Sequence, residues 1–316
     1  MKEIGGYIEL DSYTLPMLHE GTIALNCGRN ALAYLINKKG IKKILLPKFL
    51  CASVSDTCKK SNISVRYYNI GWNFLPDDLD VMPDEWVYIV NYYGQISNEK
   101  IILLKNKYKK IIVDNSQAYF QNPIEGIDTL YTCRKFFGVS DGAFLYTDDR
   151  NVDDLPIDES YKRMTYLLGR YERTASEFYN EYSLNNELFA NEPIKRMSKL
   201  TCNLLHAIDY KSVEKSRTNN FIILHETLHK YNLLNLMLPK GAYMYPLYVS
   251  NGPAIREILQ RKKIYIPILW PNVLNTCAEG ESEYDMANNI LPLPVDQRYG
   301  SEDMYFLIDE IKKCFS

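Results

Sequence analysis

Between residues 27 and 146 the chain switches repeatedly from short, continuous apolar runs to longer polar-apolar mixtures. The runs are Ile44-Leu45-Leu46, Val65 to Tyr68, Trp86 to Val90, Ile111 to Val113, Thr129 to Tyr131 and Ala143 to Tyr146. Runs this short, without polar alternation, suit strands buried on both faces, and helix-like stretches between them imply βαβ units. One such stretch opens at Cys27-Gly28-Arg29-Asn30, is apolar all round from Ala31 to Ile36, and stops at Lys38-Lys39-Gly40. Lysines in a last turn followed by glycine are helix-stop chemistry. The others run from Ser53 to Lys60 and from Glu99 to Tyr108. The pattern predicts an α/β fold with a mostly parallel central sheet flanked by helices.

From about Ile157 to Tyr231 the pattern turns helical, with one long stretch through Tyr161 to Tyr182 and another through Thr201 to Tyr231. Pro239 and Gly241 then break it. Tyr243 to Val249, Ile255 to Leu259, Ile264 to Ile268 and Met304 to Ile311 suggest a small mixed α/β unit. Two domains are expected, a large α/β domain over 1–235 and a small one over 236–316, which suits 316 residues at about 150 per domain.

The balance of 37 Lys plus Arg against 39 Asp plus Glu, with no basic run, argues against a nucleic-acid partner. Seven scattered cysteines, odd in number and never spaced C-x-x-C, suggest neither a disulfide framework nor a zinc ribbon, and point to a reducing compartment. No window approaches eighteen uninterrupted apolar residues and the N-terminus lacks a leader-like apolar stretch, so a soluble cytoplasmic protein without a membrane partner is expected.

In an open parallel sheet, ligands bind beyond the carboxyl ends of the strands. Asn91-Tyr92-Tyr93-Gly94, Asp114-Asn115-Ser116-Gln117 and Thr132-Cys133-Arg134-Lys135 each follow an apolar run, so they are expected on one rim. Asp114, leaving a buried strand, needs a cation or hydrogen-bond donor, or else caps a helix. Lys135, before Phe136-Phe137-Gly138, is either a desolvated nucleophilic amine or an ordinary surface lysine. Thr132 with Arg134 is a candidate phosphate pair. Gly28, Arg29 and Asn30 open a helix whose free N–H groups form an anion site, or else simply make a turn. An anion cradle, an acid for a ring nitrogen and a Schiff-base lysine are together what pyridoxal phosphate requires of a protein.

These residues resemble the DegT/DnrJ/StrS-type sugar aminotransferases, within the fold-type I pyridoxal-phosphate enzymes. The likeness runs through G-R-N-A-L at 28–32, L-P-K-F-L-C at 46–51, Val90 to Gly94, V-D-N-S-Q-A at 113–118, T-C-R-K-F-F-G-V-S-D-G-A at 132–143 and L-P-L-P-V-D-Q-R-Y-G at 291–300. By that resemblance Lys135 carries the Schiff base to pyridoxal 5'-phosphate and Asp114 holds the pyridine nitrogen protonated. Gln117 lies near the cofactor's 3-oxygen, while Gly28, Arg29 and Thr132 contact the phosphate. The resemblance implies transamination from a donor such as glutamate to a keto-sugar, in cell-surface polysaccharide or deoxysugar synthesis, by a homodimer with shared sites. Phe49 is a candidate for the cofactor ring face, Asn91, Tyr92 and Tyr93 for the substrate pocket, and Arg298 for the donor carboxylate. The chain departs from the family where Arg29 replaces a small hydroxyl residue and Gly142-Ala143 replaces a Gly-Gly pair.

Two rival readings remain. His225-Glu226-Thr227-Leu228-His229 matches H-E-x-x-H, the two-imidazole face of a zinc peptidase helix, although Lys230 follows it and no third ligand is marked. A non-catalytic, regulatory member of the pyridoxal-phosphate fold is the other.

Overall fold

The computed structural model describes residues 4–148 and 154–315. The first half runs β1 (Ile23–Leu25), α1 (Gly28–Lys39), β2 (Lys43–Pro47), α2 (Ala52–Lys60), β3 (Ser64–Tyr68), β4 (Glu85–Val90), α3 (Asn98–Tyr108), β5 (Ile111–Asp114), β6 (Asp128–Thr132) and β7 (Ala143–Tyr146). Helices α4 (Thr165–Glu172), α5 (Tyr179–Leu188), α6 (Lys199–Leu205) and α7 (Tyr210–Leu228) follow. The chain closes with β8 (Met244–Tyr248), α8 (Gly252–Arg261), α9 (Val273–Thr276), α10 (Ser282–Asn289), β9 (Ile290–Pro294) and α11 (Ser301–Lys312).

Strands β1 to β7 form one sheet in the order β1-β7-β6-β5-β4-β2-β3. Pairing is parallel from β3 through β2, β4 and β5 to β6, and antiparallel where β7 and β1 complete the edge. Because β3 lies on one side of β2 and β4 on the other, the order reverses at β2, which places a ligand crevice at the carboxyl ends of β2, β4, β5 and β6. Ile44, Leu46, Val87, Ile89, Ile111 and Val113 are buried in the sheet's core, as continuous apolar strands require. Helix α1 is buried along Asn30 to Ile36, except half-buried Ala33, and ends on Gly40, whose left-handed φ of 59° turns the chain toward β2.

The helical half is more broken than its pattern suggests. Thr174, in a capping box with Glu177, starts a new helical turn after α4. Ser198 caps α6 by accepting from Thr201 N, and Asp209 caps α7 by accepting from Ser212 N. Each such side chain supplies an acceptor to free helix donors and therefore sets a start within what reads as one long stretch. Residues 264–268 form no strand; Pro267 lacks the ladder donor. Strand β8 pairs with β9 instead, antiparallel, over a second core containing Tyr245, Leu247, Leu291 and Leu293 with Leu224 and Leu228 of α7 and Met304 and Ile308 of α11. Trp270, Val273, Met286 and Ile290 join the core of the large sheet.

Among the described residues no helix is long and apolar enough to cross a membrane. All seven cysteines are free.

Candidate active site

Parallel register sets Val90 beside Asp114 and Asp114 beside Leu130, so Asn91, Asp114 and Thr132 emerge at one end of three adjacent strands. Asp114 is buried, and each carboxylate oxygen has a donor. Ser116 N donates to Oδ1 at 2.8 Å and Tyr88 Oη donates to Oδ2 at 2.9 Å. Those bonds fix the carboxylate plane. Lys135 reaches the same spot from the β6–β7 connection, where its Nζ donates to Ser116 Oγ at 2.9 Å and stands 5.6 Å from the Tyr243 ring centre.

Lys135 touches solvent, yet protein crowds its amine. Both hold for a side chain on the floor of an open cleft. Crowding by protein lowers its pKa, and the charge of Asp114 opposes that shift, so more of the amine is neutral near neutral pH than for a free lysine.

Gln117 accepts from Tyr93 N at 2.7 Å through Oε1, which leaves Nε2 as a donor. Gly28 and Thr132 are brought together, since a Cβ on Gly28 would lie 2.7 Å from Thr132 Cγ2. Thr132 Oγ1 is inaccessible and has no partner. Beside it, α1 begins without a side-chain cap and without an acidic residue in its first turn. An orphaned hydroxyl, a glycine with no room for a side chain and an uncapped helix N-terminus make an anion cradle. With Asp114 for a ring nitrogen, Gln117 Nε2 as a donor for the 3-oxygen and Lys135 as the amine, the residues present fit pyridoxal phosphate.

Other candidates are arranged differently. Asn30 commits its amide donors to Asn26 Oδ1 and to the Glu192 and Pro193 carbonyls, and its backbone N–H is directed at the Cys27 thiol. Asn91 is fully buried, donating to Asn115 Oδ1 and Gln121 Oε1 and accepting from Ile96 N. Tyr92 is buried and donates to the Phe49 carbonyl at 2.5 Å; Tyr93 is buried with a left-handed φ of 52°. Phe49, 1% exposed, packs on Trp270 at 4.4 Å and Tyr92 at 5.3 Å. Arg298 is held bidentately by Asp296, at 2.6 and 2.9 Å, in place of the free guanidinium expected for a carboxylate ligand.

Sequence reasoning missed Tyr88 and Arg217, and placed Ser116 on the rim without giving it a role. Arg217 is buried and donates to Gln297 Oε1, the Ala242 carbonyl and the Phe136 carbonyl, so it pins the residue after Lys135 to α7 and the C-terminal segment. Burial pushes its pKa down to about 10. Along α7, His225 Nδ1 meets Tyr245 Oη at 3.3 Å and His229 Nδ1 meets the His225 carbonyl at 2.9 Å. Among the described residues no group of three His, Cys, Asp or Glu side chains could hold a metal.

Solved structures with the same layout include a DegT DnrJ EryC1 StrS aminotransferase from Brucella abortus, 14% identical with a TM-score of 0.63 over 93% of this chain and 86% of that one. DesV from S. venezuelae, in complex with a ketimine intermediate, is 14% identical with a TM-score of 0.65 over 92% and 84%. The PLP form of Spr1654 from Streptococcus pneumoniae, a putative sugar aminotransferase by its description, is 12% identical with a TM-score of 0.63 over 94% and 88%. The chain has the fold of the sugar aminotransferases. This fold-type I frame sets the rim of Asp114, Thr132 and Lys135 at the open ends of the parallel strands. No family model matches the sequence, and no curated protein matches it.

Proposed function

We propose that the chain is a pyridoxal-phosphate-dependent aminotransferase that takes an amino group from a donor such as glutamate and delivers it to a keto-sugar. The observation that carries this reading is the convergence of the Lys135 amine, the doubly held Asp114 carboxylate and the Gly28/Thr132 anion cradle on one cleft. When bound, pyridoxal phosphate supplies an electron-accepting ring. Asp114, oriented by Tyr88 and Ser116, keeps a proton on the ring nitrogen. Lys135 would hold the cofactor, and its amine stands where it could take the proton from the donor's α-carbon and return it. Ser116 Oγ is the resting partner of that amine.

Solved neighbours described as sugar aminotransferases support a sugar acceptor; that it is a nucleotide-linked keto-sugar of cell-surface polysaccharide or deoxysugar biosynthesis follows the motif resemblance. Within the same reading the chain works on small molecules, as a cytoplasmic homodimer with sites shared between subunits, which is what the motif resemblance implies. Within this reading Phe49, Tyr92 and Tyr93 shape the wall beneath the site, while Asn30 and Asn91 hold the backbone around it. Arg298, held by Asp296 through Nε and Nη2, keeps Nη1 for a donor carboxylate.

The test is the first half-reaction. Protein loaded with pyridoxal phosphate and mixed with glutamate should form one 2-oxoglutarate per site, and Lys135→Ala should form none. Absence of 2-oxoglutarate with glutamate, and of the corresponding 2-oxo acid with every other common amino acid, refutes the aminotransferase reading.

A further inference from the structure

Two arginines converge on the cradle, and one residue holds both. Arg29 Nη1 donates to the Asn186 carbonyl at 3.0 Å, and Arg134 Nη2 donates to Asn186 Oδ1. Asn186 lies near the end of α5, far from either arginine in sequence. It joins the start of α1 to the segment carrying Lys135. The Arg134 guanidinium also packs 5.0 Å from the Phe189 ring centre, and its Nε is inaccessible with no partner.

Neither arginine has a carboxylate within ion-pair reach among the described residues. Arg163, on the same Phe189 ring, differs in being paired with Asp158 at 2.6 Å. Two half-buried guanidinium groups drawn together without a counter-charge repel each other, and an anion between them relieves that cost. Both charges act on Cys27, the residue before Gly28, where they oppose the burial that raises its thiol pKa. Arg29 directly follows Gly28 and Arg134 lies two residues past Thr132, so both cations belong to the two segments that form the cradle, joined through Asn186.

We propose that Arg29 and Arg134, tethered by Asn186, form a two-guanidinium clamp for a phosphate monoester, the phosphate of the cofactor, with Asn186 as a positioning residue. This rests on the aminotransferase reading, pairs Arg134 with Arg29 in place of Thr132 alone, and adds Asn186 to the site. A phosphate monoester carries close to two negative charges at neutral pH, which two guanidinium groups match by charge-assisted hydrogen bonds. Arg29 thereby supplies charge where the related enzymes have a hydroxyl.

Dissociation constants for pyridoxal phosphate and for pyridoxal, which lacks the phosphate, separate the clamp from the rest of the site. The variants are Arg134→Met, Asn186→Ala and Asn186→Asp, the last placing a carboxylate against the Arg134 guanidinium while the backbone carbonyl that holds Arg29 stays. Arg134→Met and Asn186→Asp should weaken pyridoxal phosphate about ten- to a hundredfold while pyridoxal changes less than about threefold. Asn186→Ala, which keeps both cations, should fall between. The two substitutions at half-buried Asn186 provide the result if Arg134→Met fails to fold. An unchanged ratio of the two constants in the folded variants overturns the clamp even if pyridoxal phosphate attaches to Lys135. Conversely, if wild-type protein attaches no pyridoxal phosphate but inorganic phosphate raises its melting temperature, and Asn186→Asp abolishes that rise, the clamp stands and the aminotransferase reading falls. No phosphate effect and no cofactor binding overturn both.

Discussion

Replacing Tyr88 by phenylalanine removes one oxygen from the floor of the site. Tyr88 and Asp114 are both buried, and the phenol is one of two donors holding the carboxylate. A hydrogen bond to a charged group contributes about 1.5–3 kcal/mol, and Ser116 N still serves the other oxygen, so a loss of about 2 kcal/mol is expected. Tyr92→Phe is the internal comparison, because that phenol is as deeply buried but donates to the neutral carbonyl of Phe49. Its loss should cost about 1 kcal/mol. Urea unfolding of the two variants and wild type, free of cofactor, should rank Tyr88→Phe below Tyr92→Phe. Spectrophotometric titration should show pyridoxal phosphate about tenfold weaker for Tyr88→Phe, because a less constrained Asp114 holds the ring nitrogen less well. The reasoning fails if Tyr88→Phe matches wild type in both measurements, or if Tyr92→Phe is the more damaging change.

Other consequences can be checked separately. Gly28→Ala would force a methyl group to 2.7 Å from Thr132 Cγ2 and should abolish phosphate-dependent cofactor affinity in a folded protein; cofactor affinity like that of wild type would mean the cradle is elsewhere. His19, buried between Tyr119, Tyr131 and Tyr146, has its pKa lowered by burial from 6.5 to about 4. Below pH 6.5 the unfolded chain binds the proton and the folded one does not, so the stability held above that pH is lost as pH falls toward 4. The loss reaches about 2 kcal/mol by pH 5, and urea midpoints at pH 7.5 and 5 should differ less for His19→Gln than for wild type. Equal slopes would contradict a neutral buried imidazole. Arg217→Met leaves the Phe136 carbonyl with Gln297 as its remaining side-chain donor, and removes a donor from Ala242. It should destabilise the chain by about 3 kcal/mol or more, read by chemical unfolding.

The parallel half of the fold was legible because strands buried on both faces leave uninterrupted apolar runs, and because the polar residues just past Val90, Val113 and Tyr131 mark strand ends. Lys135, Asp114, Gln117 and Thr132 could therefore be gathered on one rim from sequence, whereas Gly28 was read separately as the opening of a helix. Breaks in the helical half were harder to read. Thr174, Ser198 and Asp209 cap helices only if the chain actually turns there, and their identity alone does not force it. Partner choice was hidden for a different reason. Asn91 is saturated by Asn115, Gln121 and Ile96, and Arg29 is tied to Asn186 more than 150 residues away, contacts set by topology and not by local spacing. Tyr88 did leave a signal, since a lone phenol in the otherwise apolar run Trp86 to Val90 must find a buried acceptor. Arg298 left one too, with Asp296 two residues before it.

The central claim is that the Lys135 amine is where pyridoxal phosphate becomes attached. Borohydride reduction of the cofactor-treated protein, proteolysis and mass spectrometry of the peptides test it directly. The account predicts one phosphopyridoxyl group per chain, on Lys135, absent after prior glutamate treatment and absent from Lys135→Ala. Attachment at another lysine, or none in folded wild-type protein, contradicts it.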